Sequence, residues 1–289
     1  MKKTSNKRKT FADAFSFGMN WVRRRWTLVL AWFGVQFVFA GLAVVPLVHG
    51  FNGMFGHSRM GLDLLHGRGA ETVIEWLVHR PGTVSFAFSW LVALGFLYTA
   101  AVLFLNGGVL GALATQKTSF HDAAGYGSRY FLRFVRVLLF AFPFFLAVGI
   151  VWILSGAVFG AVGKDSENLQ TVFLAIRVSA CAVCLCAIHM VSDYVKIVAV
   201  SKNRAAIRKA LPEGFRFVRG HASHAVLLYA AVRGVGVVLL LAYGSVSQIL
   251  GLSAGIIGFF ILQQAYAFLR IAVRIWLLAA QFRFYTGRR

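Results

Sequence analysis

The stretch "CLCAIHMVSDYVK", residues 184 to 196, sets a thiol, an imidazole and a carboxylate at Cys186, His189 and Asp193, positions i, i+3 and i+7 that one helix face brings together. These are the residue types of a nucleophile, its base and an orienting acid. The surroundings argue against covalent catalysis. No strained turn or oxyanion donor is suggested near the thiol, and all three cysteines lie in the apolar run "CAVCLC" (181–186), where small apolar filler explains them and no disulfide framework is implied. The same residues supply three local ligands where structural zinc takes four. The chain is read as a non-enzyme with no metal and no cofactor.

A second pattern is cationic. "QQAYAFLRIAVRIWLLAAQF" (263–282) is apolar enough to cross a bilayer yet carries Arg270 and Arg274 one helical turn apart, with Gln263, Tyr266 and Gln281 on the same stripe. Arg233 interrupts another apolar run at "RGVG". An arginine facing lipid near the bilayer centre costs at least ~2.5 to 3.5 kcal/mol, so such groups face protein, water or each other. Counting ~1.5 Å per residue from the cytoplasmic boundary puts Asp193 at the edge, Arg274 a little deeper, and Arg270 and Arg233 near mid-membrane, with His189 between. His189, Asp193, Arg233, Arg270 and Arg274 are therefore predicted to line one inward-opening anion or lipid-headgroup region, three cations facing one carboxylate. Structural pairing or snorkelling of the arginines is the competing expectation. Arg177, near the outer end of its run and across the helix from Asp193, is left out and expected to snorkel outward.

The elements that hold these residues follow from composition. Of the 289 residues 59% are hydrophobic and 13% charged, with mean hydropathy +0.73, which leaves too little polar material to cover a soluble globule. The net charge of +21 would suggest nucleic acid in a soluble chain. Here basic clusters flank apolar spans, so topology and anionic headgroups explain them and no nucleic-acid partner is expected. Six spans are predicted, at 26–48, 84–106, 135–161, 170–192, 224–244 and 256–281. The first is too long for a signal-peptide core and no small-x-small cleavage site follows it. Alternate connections hold 22 of the 30 Lys and Arg, so the positive-inside rule makes both termini cytoplasmic in a multi-pass membrane protein. Residues 1–9 form a basic N-terminus, and 10–289 a single six-helix membrane domain. The outer connection is expected to hold a surface helix before Pro81. Its His57, His66 and His79 match no compact ligand spacing.

Three segments ahead of the odd-numbered spans align: "FADAFSFGMNW" from Phe11, "FHDAAGYGSRY" from Phe120 and "IRKALPEGFRF" from Ile207. Each carries Ala at +3, Gly at +7 and an aromatic at +10: Ala14, Gly18, Trp21; Ala123, Gly127, Tyr130; Ala210, Gly214, Phe217. Arg23, Arg133 and Arg219 follow. Ala and Gly four apart let a helix approach its neighbour, while the aromatic and the Arg suit the headgroup level. The fold class is therefore all-α, a polytopic six-helix transmembrane bundle built as three repeats of a cytoplasmic elbow helix plus a transmembrane hairpin, about 10–106, 119–200 and 206–282. Pro212 leaves open whether the third elbow is one helix or two. Gly107, Gly108 and Gly111, where the second span ends, suit close packing or a hinge.

On "GGVLGAL", "SRYFLRFVRVLLF" and "DYVKIVAVSKNRAAIRKALPEGFRFVRGH", the chain resembles poorly characterised bacterial six-helix membrane proteins, similar to the membrane domain of some glycerophosphodiester phosphodiesterases. The resemblance implies an inner-membrane location. The soluble phosphodiesterase domain and its metal-binding residues have no counterpart here, so no activity carries over. The function expected is non-enzymatic engagement of membrane lipids, anionic ones above all, or of a partner membrane protein; the alternative is a transporter or flippase for an anionic substrate. The orientation is directly testable. A reporter at either terminus is expected to sense the cytoplasm, and a cysteine introduced at His66 to react with an impermeant reagent from outside; the reverse pattern overturns the topology.

Overall fold

The computed structural model describes residues 11–55, 81–116, 119–162, 167–203, 206–251 and 255–288. The predicted surface helix before Pro81, with His57, His66 and His79, and the basic residues 1–9 lie outside them. Eight helices are described: α1 (Phe11–Arg24), α2 (Trp26–Phe55), α3 (Pro81–Thr115), α4 (Phe120–Val162), α5 (Glu167–Ser201), α6 (Ile207–Gly220), α7 (Ala222–Gly251) and α8 (Gly255–Arg288). No strand occurs among the described residues. α2, α3, α4, α5, α7 and α8 each contain a stretch long and apolar enough to cross a membrane, so the protein is a multi-pass membrane protein.

Two compact units make up the chain. Residues 30–102 form one, a hairpin from most of α2 and the first part of α3. Its contacts follow from one missing donor. Pro46 has no N–H to give the carbonyl of Leu42, four residues back, and Trp90 Nε1 donates to that oxygen instead at 3.0 Å. Phe39 and Tyr98 pack edge to face, 5.4 Å between ring centres.

The other unit contains the remaining described residues and all three elbows. In each, the Ala and Gly predicted to form a small face are buried: Ala14 and Gly18, Ala123 and Gly127, Ala210 and Gly214. Each face lies on the end of an even-numbered span that is on the same side as the elbows. A Cβ on Gly18 would fall 2.5 Å from Trp276 Cδ1 and 2.7 Å from the Trp276 carbonyl oxygen of α8. One on Gly214 would fall 2.8 Å from Val195 Cγ2 of α5. Around the second elbow both sides are small: a Cβ on Gly108 would meet Ala123 O at 2.7 Å, one on Gly127 the Phe104 ring at 2.9 Å. Gly107, Gly108 and Gly111 thus serve close packing, and α3 runs unbroken through them. The second elbow sits on the second span, the third on the fourth, and the first on the sixth.

Three details refine the expectation. The first elbow is separated from its span by a turn at Arg25, and the third by one at His221, but α4 runs through elbow and span as one 43-residue helix. At ~1.5 Å per residue that far exceeds ~30 Å of hydrocarbon. "SRYFLRFVRV" holds no Gly or Pro to break it. α6 is a single helix despite Pro212, whose ring is on the exposed side where an unpaired carbonyl can meet water or headgroups. The +10 aromatics Tyr130 and Phe217 are packed within the protein rather than left facing outward. Tyr130 is 5% exposed, and Phe217 packs against Tyr194, Phe284 and Tyr285. Offsets of +3, +7 and +10 share one helical face, so what buries the small residues buries the ring.

These contacts make a paired prediction. Gly18→Ala and Gly108→Ala are expected to cost on the order of 1–3 kcal/mol in mixed micelles, since backbone cannot yield as a flexible side chain can. Gly125, on the open side of the second elbow with nothing within 4 Å of an added Cβ, is expected to gain roughly 0.5–1 kcal/mol as Ala. Equal effects at the three sites would contradict the packing.

Candidate functional site

Asp193 lies near the inner end of α5 and is fully buried, 0% exposed. A lone carboxylate there would be prohibitive; it is instead held by two cations. Arg274 of α8 donates through both terminal nitrogens, Nη1 to Oδ2 at 2.8 Å and Nη2 to Oδ1 at 2.9 Å, the two-pronged fit that guanidinium and carboxylate planes allow. Lys196, one turn along α5 from Asp193, adds Nζ to Oδ1 at 3.4 Å and is itself buried. Two cations on one carboxylate leave a surplus positive charge between α5 and α8. Their alkyl stems reach the pair through apolar packing, with Ile271, Ile275 and Val195 buried alongside.

Of the five residues predicted to converge, Asp193 and Arg274 meet directly. His189 is exposed, its ring 5.2 Å from that of Phe145 on α4. Arg233 is exposed and sits over Tyr229 of its own helix, 5.2 Å from guanidinium carbon to ring centre. Arg270 is exposed, one turn outward from Arg274. The stripe on α8 spans two environments: Gln263 exposed, Tyr266 stacked on Tyr243 of α7 at 4.7 Å, Gln281 fully buried. α8 emerges from protein as it runs outward, because the first elbow covers only its inner end. Lys196 is the member that sequence reasoning left out; its i+3 spacing from Asp193 was the available signal.

Arg177 does not extend outward as expected. Its Nε donates to Ser155 Oγ at 3.1 Å and its Nη2 to the Trp152 carbonyl at 2.7 Å, while the guanidinium lies over the Trp152 ring at 4.3 Å. Gly156 makes room, since a Cβ there would meet Nη2 at 2.7 Å. The charge is spent on holding α4 to α5.

The three elbow arginines divide likewise. Arg23 and Arg219 are exposed. Arg133 is half-buried, lies over Tyr130 at 5.2 Å and donates to Asn203 Oδ1 at 3.1 Å, tying the second elbow to the end of α5. Asn203 has φ 46, the left-handed conformation in which asparagine readily ends a helix. α6 is fastened on its inner side by Glu213, which pairs with Lys202 and accepts from Tyr285 Oη at 3.3 Å. Arg208, Lys209, Arg216 and Arg219 of α6 remain exposed. Cys184 and Cys186 are also exposed, and among the described residues no group of three or more His, Cys, Asp and Glu is placed to hold a metal. No family model, curated protein or solved structure matches the chain.

The buried charges predict an order of damage. Asp193→Asn strands the buried Lys196 and the half-buried Arg274 and is expected to cost about 3–5 kcal/mol. Arg274→Met leaves the Lys196 partner in place and is expected to cost less. Detergent unfolding of both variants checks this, and an equal or reversed order would contradict the shared carboxylate.

Proposed function

We propose that this protein is a non-enzymatic membrane protein of the bacterial inner membrane, both termini cytoplasmic, that engages anionic lipid through the basic outer faces of its elbow helices. The observation that carries the reading is the division of α6. Ile207, Ala210, Gly214 and Val218 are buried, while Arg208, Lys209, Arg216 and Arg219 are exposed. A helix held flat at a membrane boundary with its cations outward presents them to headgroup phosphates, at about 1 kcal/mol for each basic residue near an anionic surface. The exposed Arg23, Arg24, Arg129 and Arg136 around the other elbows extend the same character.

The Asp193 cluster has a mainly structural part in this reading. Its carboxylate already takes both prongs of Arg274, so the region has one surplus charge rather than an open set of cations. That weighs against a translocation path for an anionic substrate, as does the near absence of charge along the first three spans. Engagement of a partner membrane protein would use the same basic faces.

The test is lipid selectivity in reconstituted bilayers. Spin-labelled anionic phospholipid is expected to be motionally restricted by the protein more than its zwitterionic counterpart. The preference is expected to weaken in high salt and to fall markedly when Arg208, Lys209, Arg216 and Arg219 are all changed to Gln. Equal restriction of both lipids by the unaltered chain would overturn the reading.

A further inference from the structure

Beside α6 the surface is not flat. A recess of about 280 Å³ opens between α4, α5 and α6, its wall formed by Phe140, Ala141 and Phe144 of α4, Ala187 of α5, and Leu211 and Phe215 of α6. Ser192 is the one polar residue of its lining. The recess is open to the side: Phe140 is 45% exposed, Phe144 63% and Phe215 54%. On α6, Leu211 and Phe215 stand one turn apart, next to the strip buried against α5, so the elbow partly covers the recess without filling it.

Exposed cations flank the lining residues along their own helices. Arg136 of α4 lies one turn before Phe140, Arg208 one turn before Leu211 and Arg219 one turn after Phe215, all three exposed. Carboxylates nearby are already engaged: Asp193 is buried against Arg274 and Lys196, and Glu213 is held by Lys202 and Tyr285. An apolar recess with a positive rim matches a molecule with an apolar chain and an anionic head.

We propose that this recess is a site for one anionic phospholipid, part of an acyl chain lodged among Phe140, Phe144, Ala187, Leu211 and Phe215 and the headgroup drawn by the positive field of the exposed Arg136, Arg208 and Arg219. The inference rests on the lipid-engaging role above and deepens it: the elbow's basic face selects the headgroup, and the recess makes one lipid resident rather than passing.

The experiment uses the full chain, purified in mild detergent and exchanged until bulk lipid is gone, with bound phospholipid measured by mass spectrometry. About one anionic phospholipid per chain is expected. Ala187→Phe, which fills the recess without altering charge, is expected to lower retention on the order of tenfold, as is Arg208→Gln with Arg219→Gln. Retention of zwitterionic lipid to the same degree, or no change with Ala187→Phe, overturns the site. Selectivity in bilayers would survive that result, so failure of the recess is distinguishable from failure of the broader role. Should Ala187→Phe not fold, the unaltered chain decides: an anionic phospholipid with a photoreactive group at its acyl terminus is expected to label peptides 137–144 and 187–195. Label spread evenly over all spans, or a co-purifying protein in place of lipid, overturns the proposal.

Discussion

Lipid tails are as apolar as leucine, so no hydrophobic drive brings two membrane helices together, and association rests on how closely their backbones fit. In this chain that fit occurs where each elbow meets the inner end of an even-numbered span. Gly18 against Trp276, Gly108 against Ala123 and Gly214 against Val195 are each too close to admit a Cβ without movement. Trp276 shows how completely the space is used: its ring lies 4.7 Å from that of Phe15, and its Nε1 donates to the Phe15 carbonyl at 2.9 Å. The contact links the first helix of the chain to the last. Orientation of the elbows, exposure of their arginines and the recess beside α6 all depend on this seating.

Electrostatics complements the packing without replacing it. A buried ion pair is weak evidence for stability, because desolvation offsets most of the Coulombic gain, yet it fixes which groups must meet. Asp193 and Arg274 register α5 against α8, and Arg177 with Trp152 and Ser155 registers α5 against α4 at the opposite end. Charges inside the spans are spent on such registration where they are buried. Most basic residues of the elbows stay exposed, while Arg133 and Glu213 fasten elbows to the span ends.

The architecture was legible from the sequence because two of its causes are local. Span length needs no knowledge of contacts, and the spacing of Ala14 and Gly18, with its two echoes, marks a face whatever it packs against. The partners of those faces were not legible, since nothing in "FADAFSFGMNW" points to Trp276, more than 250 residues away. The same limit explains the polar region. Asp193 and Arg274 were placed in one group with three others, and of these they are the two that meet, whereas Arg270, one turn away, is exposed. The burial of Tyr130 and Phe217 follows from the +10 offset, which shares a helical face with the small residues.

Lipid engagement and the recess share one premise, that the third elbow lies at the membrane boundary with its small face on α5, Phe215 toward the acyl chains and Arg216 toward water. Nitroxide scanning of residues 207–220 in reconstituted bilayers tests it most directly. The account predicts a helical period of about 3.6 residues, with oxygen access highest at 215, polar-reagent access highest at 209 and 216, and immobilisation at 210 and 214. Uniform access of the polar reagent along the whole segment would mean that the elbow stands free in water, and would contradict it.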